Sequence, residues 1–268
     1  MSTTAAVLKE VPEAPRRRPG FDLTMLAGIF IAAAALVAGI AVTGVRLAYF
    51  FQPTGALIVF GGTLGTIFLT TPRTALANAA KSAGRLFSAP ESDYAALIEE
   101  IMQFVKHARA NGLMAIEPLI ERSRSWFLRD GLVLAIEVQQ RADLEDALQS
   151  KLRLRERQGE TDARVFEVAG GFAPTIGVLG TVVGLIDVLR QFSNLSSVAA
   201  GIGAAFVSTI YGLALANLVL LPAAYRIRAR TAEAFERHEL ILEGVLCLYD
   251  RVHPSLVRER LEGYLRRS

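Results

Sequence analysis

Val168-AGGFAPTIGVLGTVVGL-Ile186 is the stretch that decides the fold. Its nineteen residues hold no charge and are followed at once by Asp187 and Arg190. A helical bilayer crossing needs roughly 20 apolar residues. This run is therefore predicted to span a membrane. Three further uncharged runs flank it at a distance: Leu23 to Val45, Thr54 to Thr71, and Val198 to Ala224. Arg46, Phe51, Gln52 and Pro53 separate the first two and suit a short interfacial turn. The predicted fold class is thus an all-α membrane protein with four transmembrane helices.

Composition agrees with that reading. Of 268 residues, 52% are hydrophobic and only 21% charged, which is too apolar for an ordinary soluble chain of this length. The net charge of +3 does not point to a nucleic acid, because the basic residues flank apolar runs instead of forming one basic face. All but Arg46 and Arg190 of the 29 Lys and Arg lie in the amino-terminal tail, in 73–167 or beyond Tyr225. Lys and Arg collect on the cytoplasmic side of short loops, so both termini and the large loop are expected to be cytoplasmic. Arg16-Arg17-Arg18-Pro19 precedes an apolar run longer than the ~7–15-residue apolar core of a signal peptide. The tail reads as uncleaved and flexible, ahead of a permanent anchor.

The predicted organisation is a cytoplasmic tail over 1–20, a transmembrane hairpin over 21–72, a compact cytoplasmic helical domain over 73–165, spans three and four over 166–225, and a cytoplasmic helical tail over 226–268. Apolar residues at three-and-four spacing, such as Leu97, Ile101, Phe104 and Val105, or Leu128, Leu132, Ala135 and Ile136, mark amphipathic helices in the loop. Asp143 to Arg164 and Arg226 to Tyr249 are rich in helix formers and continue into spans three and four without a break, so those spans are expected to extend as long helices. No period of 20 to 50 residues recurs, which excludes a solenoid.

Enzyme chemistry finds little to work with. His107, His238 and His253 are scattered without metal-ligand spacing and read as solvated or interface histidines. Cys247 is the only cysteine and reads as a packed core thiol. Gly177, Gly180 and Gly184 are spaced like part of a phosphate loop, but no Lys-Ser or Lys-Thr follows them. The chain is expected not to be an enzyme and to hold no cofactor. None of the four spans contains Asp, Glu, Lys, Arg or His, although ion pathways usually place such a residue at depth. If the chain conducts ions, a partner must supply the carboxylate.

The spans offer small residues and hydroxyls instead. Pro174, Gly177, Thr181 and Gly184 share one helix face, and Gly201, Ala205, Ser208, Thr209, Gly212 and Ala216 repeat the theme in span four. Close helix packing and pore lining both fit this pattern. Pro174 and Pro222 would kink the helices or free backbone carbonyls.

At these residues the chain resembles the MotA/PomA branch of the MotA, TolQ and ExbB family. The motifs are Phe172 to Leu185 in span three, Phe206-VSTIY-Gly212 with Ala216-Asn217 and Leu220-Leu221-Pro222 in span four, Pro53 and Leu57 to Gly65 in span two, and Arg109-ANGLMAI-Glu117 in the loop. The resemblance runs from about Asp22 to Leu265. TolQ and ExbB relatives have three spans and lack the first hairpin, which favours the MotA branch. The resemblance implies a ring-forming subunit of an ion-driven rotary motor in a bacterial inner membrane. Five such subunits would surround two copies of a MotB-like, single-span, peptidoglycan-binding partner whose intramembrane Asp carries the ion.

It also implies roles for particular residues. The ion path would involve Pro174, Gly177, Thr181, Ser208, Thr209 and Pro222, with Pro174 and Pro222 tied to gating. Thr181 resembles the threonine of sodium-driven members, where proton-driven ones usually carry alanine, and Thr209 matches the second hydroxyl of the sodium site. Sodium is the implied coupling ion, held transiently at Thr181 and Thr209, with the proton as alternative. Arg109 and Glu117 match residues that meet a flagellar rotor protein; solvated surface charge is their other reading. The tail before Phe21 departs from the family's usual short start, which leaves open a non-flagellar envelope machine as client. A non-conducting membrane scaffold is the alternative outside this class.

Overall fold

The computed structural model describes residues 23–86, 93–190 and 195–265, so the amino-terminal tail lies outside the described residues. Among the described residues the regular elements are helices: α1 (Leu23–Val42), α2 (Pro53–Thr70), α3 (Arg73–Arg85), α4 (Tyr94–Asn111), α5 (Glu117–Ile120), α6 (Trp126–Glu137), α7 (Arg141–Arg190), α8 (Leu195–Ala214), α9 (Leu221–Tyr249) and α10 (Pro254–Leu265). A π-turn over Leu215–Leu220 joins α8 to α9.

Local chemistry accounts for the helix ends. Pro53 opens α2, where its missing N–H costs nothing. The Asp93 carboxylate accepts the Ala96 N–H at 3.0 Å to start α4, and the Ser125 hydroxyl accepts the Leu128 N–H at 3.3 Å to start α6. Gly112 stops α4 with φ +91°, a conformation open to glycine.

Two compact units are present. One comprises residues 93–157 with 230–265. Its core joins Ile98, Ile101, Phe127, Leu132, Leu148 and Ile241, all 2% exposed or less. The expected amphipathic faces are realised here: Leu97, Ile101, Phe104, Val105, Leu128, Leu132 and Ala135 are buried, and Ile136 packs against them. The other unit comprises residues 23–86 with 158–229. Its α2 buries Gly55, Val59, Thr63 and Ile67. Helix α3 packs in this second unit through Ala79 against Ile67, Val165 and Ala169, and through Ala83 beside Ala163 and Ile227.

Three helical stretches are long and apolar enough to cross a membrane: Leu47–Thr70, Arg141–Arg190 and Gly201–Tyr249. They cover the third predicted span and all but the edges of the second and fourth. Within the first predicted span, Phe30–Val42 is a shorter apolar helix. Phe30, Leu57 and Leu69 are 74%, 75% and 89% exposed, large apolar side chains of the kind that meet lipid or another chain. The predicted long extensions are present as helix, since α7 runs unbroken for 50 residues through Pro174 and α9 for 29.

Candidate functional site

Helices α7 and α8 approach closely because glycine stands at each crossing point. A Cβ on Gly177 would lie 2.9 Å from the Ser208 carbonyl oxygen, one on Gly212 would lie 2.5 Å from that of Ala173, and one on Gly184 would lie 2.8 Å from the Ala205 Cβ. No side chain fits at these positions without separating the helices. The packing reading of the small-residue faces is therefore realised, and it brings two hydroxyls together.

Thr181 Oγ1 lies 2.6 Å from Thr209 Oγ1, 3.1 Å from the Ala205 carbonyl and 3.2 Å from the Gly177 carbonyl. Thr181 is 8% exposed. Its hydroxyl has one proton and three oxygen neighbours, so oxygen lone pairs outnumber the protons available to them. Such an oxygen-rich node is suited to a cation that has shed water. Ser208, 3% exposed, adjoins it, with its side chain close to Gly55 of α2 and Gly180 of α7.

The two prolines act differently. Pro174, seven residues before Thr181, sits inside α7 without ending it. With no N–H of its own it leaves the Gly170 carbonyl without its helical donor. Pro222 follows the π-turn, in which the Leu221 N–H reaches back five residues to Ala216. The Asn217 side-chain amide donates to the Leu213 carbonyl at 2.9 Å. The helix thus carries an extra residue in one turn just before Pro222. Below both prolines, Arg228 of α9 donates to Glu160 at 3.0 Å and forms a two-pronged pair with Glu167 of α7.

Residues 120–239 match the MotA/TolQ/ExbB proton channel family, and residues 26–112 match the N-terminal family of motility protein A. Motility protein A of Bacillus subtilis is 30% identical over 249 residues, 91% of each chain. The chain belongs to the MotA/TolQ/ExbB proton channel family. Chemotaxis protein PomA of Vibrio alginolyticus is 28% identical over 244 residues, covering 91% of this chain and 95% of that one. Among solved structures, the flagellar MotAB stator complex from Bacillus subtilis superposes with a TM-score of 0.85 at 29% identity, over 91% of this chain and 96% of that one. The C. jejuni MotAB structure shares the fold, with a TM-score of 0.86 at 21% identity. Membership of this family, and of its MotA branch, agrees with the resemblance seen in the sequence motifs.

The rotor candidates lie in the other unit. Arg109 on the last turn of α4 and Glu117 at the start of α5 are both exposed, on either side of the Gly112 turn. Among the described residues neither makes an ion pair. Of the two settings expected for it, solvated or interface, His238 does not occupy the solvated one. It packs on Phe127 at 4.4 Å and Trp126 at 5.5 Å between ring centroids, and Arg155 lies 4.5 Å over the Trp126 ring. Burial, with Arg237 and Arg155 nearby, pushes its pKa down to about 4. Cys247 is buried at 2% exposure, as expected of a core thiol.

Sequence reasoning did not single out Gly55 or the hydroxyl of Tyr211. Gly55 stood within a plain apolar run, and Tyr211 within a motif whose partners are about 160 residues away in the chain.

Proposed function

We propose that the chain is the ring-forming A subunit of an ion-driven rotary motor in a bacterial inner membrane, coupling ion flux to torque with a MotB-like single-span partner. The observation that carries this reading is the Thr181–Thr209 hydroxyl pair, 2.6 Å apart, in spans that contain no Asp, Glu, Lys, Arg or His. Such spans need the partner's carboxylate, and the two hydroxyls with the Gly177 and Ala205 carbonyls supply neutral oxygens beside it. Ion binding neutralises that carboxylate, which lowers the cost of moving it through low dielectric and lets the ring step to its next face.

The full reading has four spans, with both termini, 73–165 and 226–268 on the cytoplasmic side. Five copies surround two partner chains, and Pro174, Gly177, Thr181, Ser208, Thr209 and Pro222 line or gate the path. The coupling ion is sodium, because Thr181 adds a hydroxyl that a proton would not require; the proton is the alternative. Arg109 and Glu117, exposed and free of ion pairs among the described residues, meet a rotor. A flagellar rotor is the default client, as the solved relative is a flagellar stator complex, and another envelope machine is the second. The scaffold reading gives way because the family is one of channels.

The test is ion flux in proteoliposomes. The chain alone is expected to be silent, and the chain with its partner to conduct sodium. Flux through the chain alone would refute the division of labour, and undiminished flux or rotation when potassium replaces sodium at fixed membrane potential would reassign the ion to the proton.

A further inference from the structure

Tyr211 lies two residues beyond Thr209 on α8. Its side chain leaves the α7–α8 pair and reaches the corner where the chain enters α2. There the phenol hydroxyl donates to the Phe50 carbonyl and accepts the Gln52 backbone N–H at 3.1 Å. Gln52 precedes the first turn of α2 and makes no side-chain cap for it. In an apolar surrounding, backbone groups left without partners are costly, and the single phenol oxygen serves one on each side of Phe51. The Tyr211 ring stands 6.5 Å from that of Phe60, one face of the same hairpin.

The other side of Thr209 is held as firmly. Ser208 fills the space between Gly55 and Gly180, where a Cβ on Gly180 would lie 2.9 Å from the Ser208 Cβ. Gly212 presses on the Ala173 backbone. Thr209 therefore sits in a short segment whose neighbours are fixed to α2, to α7 and to the corner before α2. Tyr211 supplies the polar attachment to that corner.

We propose that Tyr211 is a positioning residue for the Thr181–Thr209 ion site. It bolts the corner of the first hairpin to α8, and this holds the Thr209 hydroxyl in range of Thr181. The inference rests on the reading of that pair as the ion site. Tyr211 does not touch the pair; it acts through the backbone of α8. Sites of this kind depend on placement within about 0.5 Å, and a bond that fixes the supporting shell acts on affinity for the ion more than on the steps that follow binding.

The experiment is Tyr211→Phe in the complete complex with its partner, reading rotation or flux against sodium concentration. Loss of one neutral hydrogen-bonding group predicts a rise of about fivefold in half-saturating sodium, with the rate at saturating sodium retained. An unchanged half-saturation with reduced rate or reduced assembly would overturn the proposal, since a merely structural residue behaves that way. If Tyr211→Phe does not assemble, difluorotyrosine at position 211 keeps the ring and weakens the phenol as acceptor; it must displace half-saturation too, or the proposal fails. Should the parent be indifferent to sodium, the sodium reading falls by itself. The positioning role is then judged on the pH dependence of rate: a displaced curve for Tyr211→Phe sustains it and a superimposed curve overturns it.

Discussion

Thr181 and Thr209, from two different helices, share a hydrogen bond of 2.6 Å between their hydroxyls. Only one of the two can donate across it, so the other proton is free for a carbonyl, and Ala205 and Gly177 both lie within 3.2 Å of Thr181. Thr181→Val keeps the volume and removes the hydroxyl. The expected result is a loss of about 1–2 kcal/mol in the stability of the purified assembly, measured by thermal unfolding in detergent. Sodium dependence of activity should fall in the same variant. A valine variant that is as stable as the parent and equally sodium-dependent would remove Thr181 from the site.

The glycines at the crossing set that hydroxyl distance. Gly177→Ala places a methyl against the Ser208 carbonyl and should cost about 1–3 kcal/mol, with a larger loss of activity than of expression. Gly61 of α2 has nothing within 4 Å of its would-be Cβ. Gly61→Ala should be neutral or slightly stabilising, because alanine is the better helix former. Equal melting temperatures for the two variants would contradict the packing account.

His238 yields a pH prediction. Its folded pKa of about 4 lies below the ordinary 6.5, so between those values the unfolded chain takes up a proton that the folded chain refuses. Stability from this group is complete above pH 6.5 and is lost as pH falls toward 4. After discounting for partial exposure the loss is on the order of 2 kcal/mol. Thermal unfolding of the parent and of His238→Phe from pH 7.5 to 4.5 is the measurement. A slope that survives the substitution would assign the effect to other groups.

Arg251 has φ +54° just past the end of α9. The Val252 N–H bonds the Cys247 carbonyl at 3.0 Å and the Arg251 N–H bonds that of Leu248 at 3.2 Å, the pairing of a Schellman cap whose left-handed position favours glycine. Arg251→Gly is expected to stabilise the chain by about 1 kcal/mol, read as a raised melting temperature. A lowered one would show that the arginine side chain contributes more than its backbone costs.

Much of this was legible in the sequence. Three-residue and four-residue spacing marked the buried faces of α4 and α6, and the row Pro174, Gly177, Thr181, Gly184 marked the face of α7 that meets α8. The π-turn was not read, although a signal for it exists. Ser208, Gly212, Ala216, Leu220 and Ala224 stand four apart and all face inward or partly so. In a plain α-helix each such step turns about 40° too far, and an extra residue in one turn takes up much of the drift. The Tyr211 bridge and the seat of His238 among aromatic rings could not be read, because both depend on partners distant in the chain and no local pattern announces them.

Cys247 has a practical consequence. It is the only cysteine in the chain, it is buried, and burial together with the Glu243 carboxylate pushes its thiol up to about 11. Thiolate is the form that reacts with maleimides and exchanges disulfides, so at neutral pH this sulfur is both shielded and in the wrong protonation state. The unaltered chain is already a background for cysteine mapping. Cysteines introduced in pairs on exposed faces of the spanning helices would report which surfaces meet between copies, or between the chain and a partner, without competition from a native thiol.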